Sequence, residues 1–301
     1  MTGDRAESPG GDQGRATATD RTTGGVGTVL DGVEGIPVRR DGGSGRPPLL
    51  LINSLGTDRS SWDRPLPFWS PYLEVLRYDQ RGHGATRRST AGMTLADLGR
   101  DALEVLDAAG AEQAMVCGCS LGGLVAQWVA IHAPERVASL VLADTAARVG
   151  TADAWQQRAA VVRHRGMDAV AAQVIERFFS GGFRVREARV VAEVERRLRA
   201  QDPEGYAASC EVLAGADLRA DVSAVRAPTL VIVGDEDVAT PLAQARDLAA
   251  SIPGAELVQL PGAGHLAPIE QPGRFAGLVL GGHPDPTVRS AVTTAGGHPP
   301  P

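Results

Sequence analysis

Between residues 113 and 130 the chain runs from Gln113-Ala114-Met115-Val116-Cys117 through Gly118-Cys119-Ser120-Leu121-Gly122-Gly123 into Leu124-Val125-Ala126-Gln127-Trp128-Val129-Ala130. The first run is short, apolar and strand-like; the last reads as a helix. A G-x-S-x-G pattern therefore sits at a strand-to-helix turn, the context in which such a serine is a nucleophile. The turn is tight and needs small residues on both sides of the serine, a need met by Gly118 and Gly122. Ser120 would stand proud of the sheet, at a helix N-terminus that favours negative charge. The pattern alone also occurs in inert glycine-rich turns. What separates the two readings is whether a histidine and a carboxylate emerge at other strand ends.

The rest of the chain supplies those strands. Residues 47–53, Leu73–Tyr78, Ala114–Cys117, Leu140–Ala143 and Thr229–Val233 are continuous apolar runs, suited to parallel strands covered on both faces. A further strand is expected over Ala255–Leu260, with a closing helix over Gln271–Leu280. In Thr94–Ala109, Leu95, Leu98, Ala102, Val105, Leu106 and Ala109 mark one helical face, and Thr94 is a candidate N-cap with Asp97 three residues on. Strands alternating with helices predict a mostly parallel α/β sheet with helices on both faces.

From about residue 145 the pattern changes. Ala154–His164, Met167–Phe179, Glu187–Ala200 and Pro203–Ala214 are helical in character, and no strand-like run interrupts them. A helical cap inserted between two parts of one core follows: core over 26–144 and 226–280, cap over 145–225. With 301 residues there is room for one large domain carrying such an insertion. Residues 1–25 and 281–301, rich in Gly, Thr, Pro and charged residues, read as loose tails.

Loops at the strand ends hold the candidate chemistry. Asp235-Glu236-Asp237 follows Gly234 and precedes Thr240-Pro241. A carboxylate there can orient a catalytic histidine. The offset from Gly234 favours Asp237, with Asp235 second and Asp144, at another strand end, more distant. His265 lies in Pro261-Gly262-Ala263-Gly264-His265, a Gly-rich loop from which a base can reach over the sheet edge. His83, in Asp79-Gln80-Arg81-Gly82-His83-Gly84, reads as structural because its own turn is Gly-rich. The order Ser120, Asp237, His265 completes a Ser-Asp-His set of roles.

Several functions are disfavoured. The chain carries net charge −6, every cationic side chain is arginine, and no basic run or aromatic-basic interleaving points to nucleic acid. No apolar run is long enough to span a membrane, and the N-terminal segment has no apolar core of a signal peptide. The six histidines are scattered, so zinc is not expected. Three cysteines, Cys117, Cys119 and Cys210, form no disulfide framework and fit a reducing cytoplasm. Residues 145–225 hold 12 Arg against 11 Asp plus Glu, a cap of charge +1 on a remainder of −7, which does not oppose an anionic substrate.

These stretches resemble the 3-oxoadipate enol-lactonases, α/β-hydrolases of aromatic-ring catabolism. The likeness is carried by Leu51-Ile52-Asn53-Ser54-Leu55-Gly56-Thr57-Asp58, by Leu76-Arg77-Tyr78-Asp79-Gln80-Arg81-Gly82-His83-Gly84 and by the serine turn. In the cap it extends to Asp144-Thr145-Ala146-Ala147-Arg148-Val149-Gly150-Thr151 with Trp155 and Arg158, and to Asp202-Pro203-Glu204-Gly205-Tyr206-Ala207. It spans about Val29 to Leu280; both tails fall outside it. The resemblance implies the α/β-hydrolase fold and hydrolysis of a small anionic lactone without a cofactor. Ser120 would be the nucleophile, His265 the base and Asp237 its orienting acid, with the Leu55 and Leu121 amides as oxyanion hole. Trp155 and Arg158, three residues apart on one helix face, would bind the substrate ring and carboxylate. Other expectations stay open at this stage: another ester or lactone, for example in natural-product tailoring; a C–C hydrolase or haloperoxidase-like enzyme; or a ligand receptor on the same fold. The oligomeric state is not legible.

Overall fold

The computed structural model describes residues 27–30 and 32–289. The tail expected over 1–25 lies outside these residues, and of 281–301 only the part to 289 is described. Eight strands form one sheet: β1 Thr28–Leu30, β2 Val38–Asp41, β3 Pro48–Ile52, β4 Glu74–Tyr78, β5 Ala114–Cys119, β6 Val137–Ala143, β7 Thr229–Gly234 and β8 Glu256–Leu260. Their order is β1-β2-β4-β3-β5-β6-β7-β8. From β4 to β8 neighbouring strands are parallel, while β2 pairs antiparallel with both β1 and β4.

Why these segments pair follows from their burial. Leu49, Leu50, Leu51 and Ile52 are fully buried, as are Val116, Cys117, Leu140 and Leu142, so both faces of the central strands are covered. Each such aliphatic side chain removed from water contributes about 1.5–3 kcal/mol. Strands β1 and β2 carry no such run. Arg39 and Arg40 lie within β2, and Asp41 at its end pairs with Arg77 of β4 at 2.8 Å. The charge that hides this edge hairpin from an apolar pattern is thus neutralised across the sheet.

The helices of the first half are α1 Leu66–Trp69, α2 Leu95–Ala108 and α3 Leu121–His132. Thr94 caps α2 reciprocally with Asp97, satisfying N–H groups that the first turn leaves free. Between β6 and β7 lie α4 Ala152–Arg165, α5 Asp168–Phe178, α6 Gly181–Arg186, α7 Ala188–Arg199 and α8 Pro203–Gly215. No strand occurs among them. α6, which begins on two glycines, is held by the Ser180 side chain accepting from Phe183 N–H. Then come α9 Leu242–Ser251, α10 Ala267–Glu270 and α11 Pro272–Gly281. The helical insertion rests on the core through close backbone contacts. A Cβ on Gly82 would lie 2.5 Å from Gly205 Cα at the start of α8, so neither position accepts a side chain. Gln201 Oε1 accepts from Gly84 N–H at 3.1 Å. Among the described residues, no helix is long and apolar enough to cross a membrane.

Candidate active site

Ser120 sits where β5 turns into α3, with φ 56° and ψ −115°. A non-glycine residue in this region is strained and persists only where its surroundings enforce it. Here they do. Its N–H donates to Ala143 O at 3.0 Å, and its carbonyl accepts from Thr145 Oγ1 at 2.7 Å. The flanking glycines are obligatory. A Cβ on Gly118 would meet Gly122 O at 2.1 Å, and one on Gly122 would meet Ile52 O at 2.2 Å.

His265 Nδ1 lies 2.8 Å from Asp237 Oδ2, and both residues are buried. The Asp237 carboxylate also accepts from Ala239 N–H (2.7 Å), Thr240 N–H (3.0 Å) and Thr240 Oγ1 (2.7 Å). Burial pushes its pKa up, but His265 and the Thr240 hydrogen bonds outweigh this and hold it below the ordinary carboxylate range. Asp235 is exposed and accepts from Gly262 N–H at 2.6 Å, so the runner-up acid is committed to its own turn. Asp144, also at positive φ (45°), accepts from Gly234 and Ala267 N–H. It ties the acid loop to the histidine loop through backbone, and burial together with the Asp237 charge raises its pKa.

Ser54, Leu55, Ser120 and His265 line one cleft. Among the described residues no hydrogen bond joins Ser120 Oγ to His265; such contacts are often long in an empty enzyme and tighten with substrate. Nor does the N–H of Leu55 or Leu121 hydrogen-bond to any described residue, which leaves both free to donate. The Leu55 loop is fixed on either side. Asn53 donates to Tyr78 O and accepts from Trp62 Nε1, while Gly56 N–H donates to His83 Nε2 at 2.9 Å. His83 is buried, its Nδ1 lies 3.1 Å from Arg81 O, and it bridges loops rather than lining the cleft. Burial lowers its pKa, consistent with a neutral ring accepting from Gly56.

The opposite wall comes from the insertion. Trp155 and Arg158 of α4 both line the cleft. Trp155 Nε1 donates to Val149 O at 2.6 Å, and the Arg158 guanidinium lies 5.0 Å from the Trp155 ring centre, a cation–π arrangement. The sequence reading missed Arg177 and Tyr206, which line the same cleft. Among the described residues, neither Arg158 nor Arg177 has a carboxylate within ion-pair distance. Burial and then the Arg158 charge lower the Arg177 pKa. The buried Tyr206 hydroxyl lies beside Arg158, whose charge opposes the rise that burial gives its pKa, but outside the geometry of a well-formed hydrogen bond. One signal for Arg177 was present: it follows Val174 by three residues and adjoins Phe178, on the stripe that α5 buries. Among the described residues, no group of three or more His, Cys, Asp or Glu is placed to hold a metal. The three thiols are buried and unpaired, with burial pushing Cys210 up to about 12.

Residues 47–272 match the family model described as the alpha/beta hydrolase fold. The chain is 38% identical to 3-oxoadipate enol-lactonase 2 of Acinetobacter baylyi, over 78% of this chain and 87% of that protein. It belongs to the 3-oxoadipate enol-lactonase family of α/β-hydrolases. Two solved structures agree. A hydrolase from Pseudomonas aeruginosa superposes with a TM-score of 0.81 at 39% identity, covering 87% of this chain and 100% of that one. The enol-lactonase from Burkholderia xenovorans superposes at 0.80 with 37% identity, covering 83% and 97%. As a member of this family the chain is a hydrolase, with chemistry of the ester- or lactone-cleaving kind.

Proposed function

We propose that this α/β-hydrolase is a serine hydrolase that opens 3-oxoadipate enol-lactone to 3-oxoadipate, in the β-ketoadipate pathway of aromatic catabolism. One observation carries the reading: in a single cleft, Ser120 and His265 face two arginines that have no carboxylate within ion-pair distance among the described residues. Unpaired, half-buried guanidiniums are costly unless a ligand supplies the anion, and a guanidinium matches carboxylate with two parallel hydrogen bonds.

In this mechanism Ser120 Oγ attacks the lactone carbonyl while His265 takes its proton. Asp237 holds the imidazole in the required tautomer and stabilises its charged form. The Leu55 and Leu121 amides donate to the oxyanion. The ring C–O bond then breaks and His265 protonates the departing enolate oxygen. The enol stays within the acyl chain and tautomerises to the ketone, which disfavours re-closure. Water, activated by His265, releases the new carboxylate and restores Ser120. Trp155 forms the flat apolar wall beside the ring, and Arg158 and Arg177 receive the substrate's existing carboxylate. The division into a core (26–144 and 226–280) and a cap (145–225) belongs to the same reading, with chemistry on one and recognition on the other.

The test is ultraviolet monitoring of enol-lactone loss by the purified protein, beside labelling with a serine-directed fluorophosphonate. Rapid lactone loss and labelling at Ser120 are expected. Labelling without lactone loss would assign the serine machinery to another ester or lactone; loss of neither activity on Ser120→Ala would remove the serine from the mechanism.

A further inference from the structure

The cap and the loop bearing His265 meet at one buried carboxylate that the mechanism above does not use. Glu270, at the end of α10, is only 7% exposed. Its Oε1 accepts from Gly264 N–H at 2.9 Å, next in sequence to His265, and from Ser180 N–H at 2.9 Å, in the corner between α5 and α6. Its Oε2 accepts from Ser180 Oγ at 2.6 Å. Beside it, Leu266 N–H donates to Phe178 O at 3.0 Å, and the Phe178 ring stacks on the His265 imidazole with centroids 6.1 Å apart. The histidine is thus held between two residues tied to the cap corner, Leu266 directly through Phe178 O and Gly264 indirectly through Glu270. The same corner ends α5, which carries Arg177 and Phe178 into the cleft.

Burying a carboxylate is unfavourable unless its oxygens are satisfied. Here burial raises the Glu270 pKa, and three donors oppose that rise. The fit leaves no slack: a Cβ on Gly264 would lie 2.6 Å from Ser180 N and 2.7 Å from Glu270 Oε1.

We propose that Glu270 is a positioning residue that joins the His265 loop to the α5–α6 corner of the cap, setting the base and the substrate-facing wall in one register. The proposal rests on His265 being the base. It deepens that reading by making cap placement and base placement a single structural variable.

The test compares Glu270→Ala, Glu270→Gln, Gly264→Ala and Ser180→Ala with the wild type by three readouts. These are the rate of fluorophosphonate labelling, the low-field proton resonance of His265 Nδ1–H bonded to Asp237, and amide exchange at Leu266. Glu270→Ala is expected to slow labelling by about 100-fold, the scale for a displacement of about 1 Å in a catalytic group, and to weaken the His265 resonance while melting temperature changes little. Gly264→Ala, which wedges the latch apart with Glu270 intact, is expected to do the same. Ser180→Ala should show a smaller loss. Glu270→Gln keeps a carbonyl oxygen for the two N–H donors and should recover most of the rate. Folded Glu270→Ala and Gly264→Ala proteins with wild-type labelling and resonance overturn the proposal. If Glu270→Ala does not fold, wild-type behaviour of Gly264→Ala and Ser180→Ala overturns it equally. A wild type that is never labelled would sink the serine-hydrolase reading instead. The resonance and Leu266 exchange then still decide the latch: unchanged across the variants they refute it, altered they support it.

Discussion

The two walls of the cleft differ in how their charged groups are satisfied. On the core side the acid and the Nδ1 side of the base are satisfied internally. Asp237 accepts from His265 and from three donors in its own turn, and His83 pins the Leu55 loop. On the cap side the guanidiniums of Arg158 and Arg177 lack carboxylate partners among the described residues, and the buried Tyr206 hydroxyl makes no well-formed hydrogen bond. A satisfied network holds its geometry with or without ligand, which suits groups that must be preorganised for acyl transfer. An unsatisfied one gains most when a ligand completes it, which suits recognition. On the proposed function, reaction type belongs to the core and substrate choice to the cap.

The sharpest break is at the serine. Ser120→Ala is expected to cost roughly 10⁴ to 10⁶ in turnover, as for triad members elsewhere, equally on the enol-lactone and on a neutral ester, measured by ultraviolet loss and nitrophenol release. A folded variant with wild-type turnover would end the assignment.

Next in size is the acid. Asp237→Asn is expected to lower kcat by about 10⁴ through the wrong imidazole tautomer. Asp235→Asn, which touches only the Gly262 turn, should remain close to wild type. A reversal of that order in kcat would mean that the tight pairing at His265 is not the working one.

The cap should respond differently. Arg158→Ala is expected to cost about 1.5–3 kcal/mol in kcat/KM for the anionic lactone, the range for a hydrogen bond to a charged group, and little for a neutral ester. Arg177→Ala should share the selectivity. Equal losses on both substrates would erase the distinction between the walls.

The smallest effect is a stability slope. Burial depresses the His83 pKa, so its contribution is fully present above the unfolded value of about 6.5 and is lost as pH falls through and below it. His283, also lowered by burial, adds in the same sense, whereas Asp144 and Glu270, raised by burial, act oppositely. The His83 part is read as a difference: melting temperature should fall less steeply below about pH 6.5 in His83→Gln than in the wild type.

The sequence by itself determined what depends on neighbours along the chain. The apolar runs that became β3 to β7, the Thr94–Asp97 capping box, the glycines around Ser120 and the helical insertion are local patterns with a fixed geometric meaning. Each could be read within a short window. The charged strand β2 could not, because only its pairing with Arg77 of β4 makes Asp41 acceptable in a buried position. The site divides in the same way. Ser120 and His265 were legible from their loops, while the preference for Asp237 over Asp235 rested on an offset. Tertiary structure alone decided which carboxylate faces His265, since adjacent turn residues point to different partners and sequence spacing carries no direction for a side chain. It alone brought Arg177 beside Arg158, and Glu270 between Gly264 and Ser180, across separations of 90 residues in the latter pair. Contacts of that range depend on how the cap packs on the sheet, a property of the whole fold rather than of any one stretch.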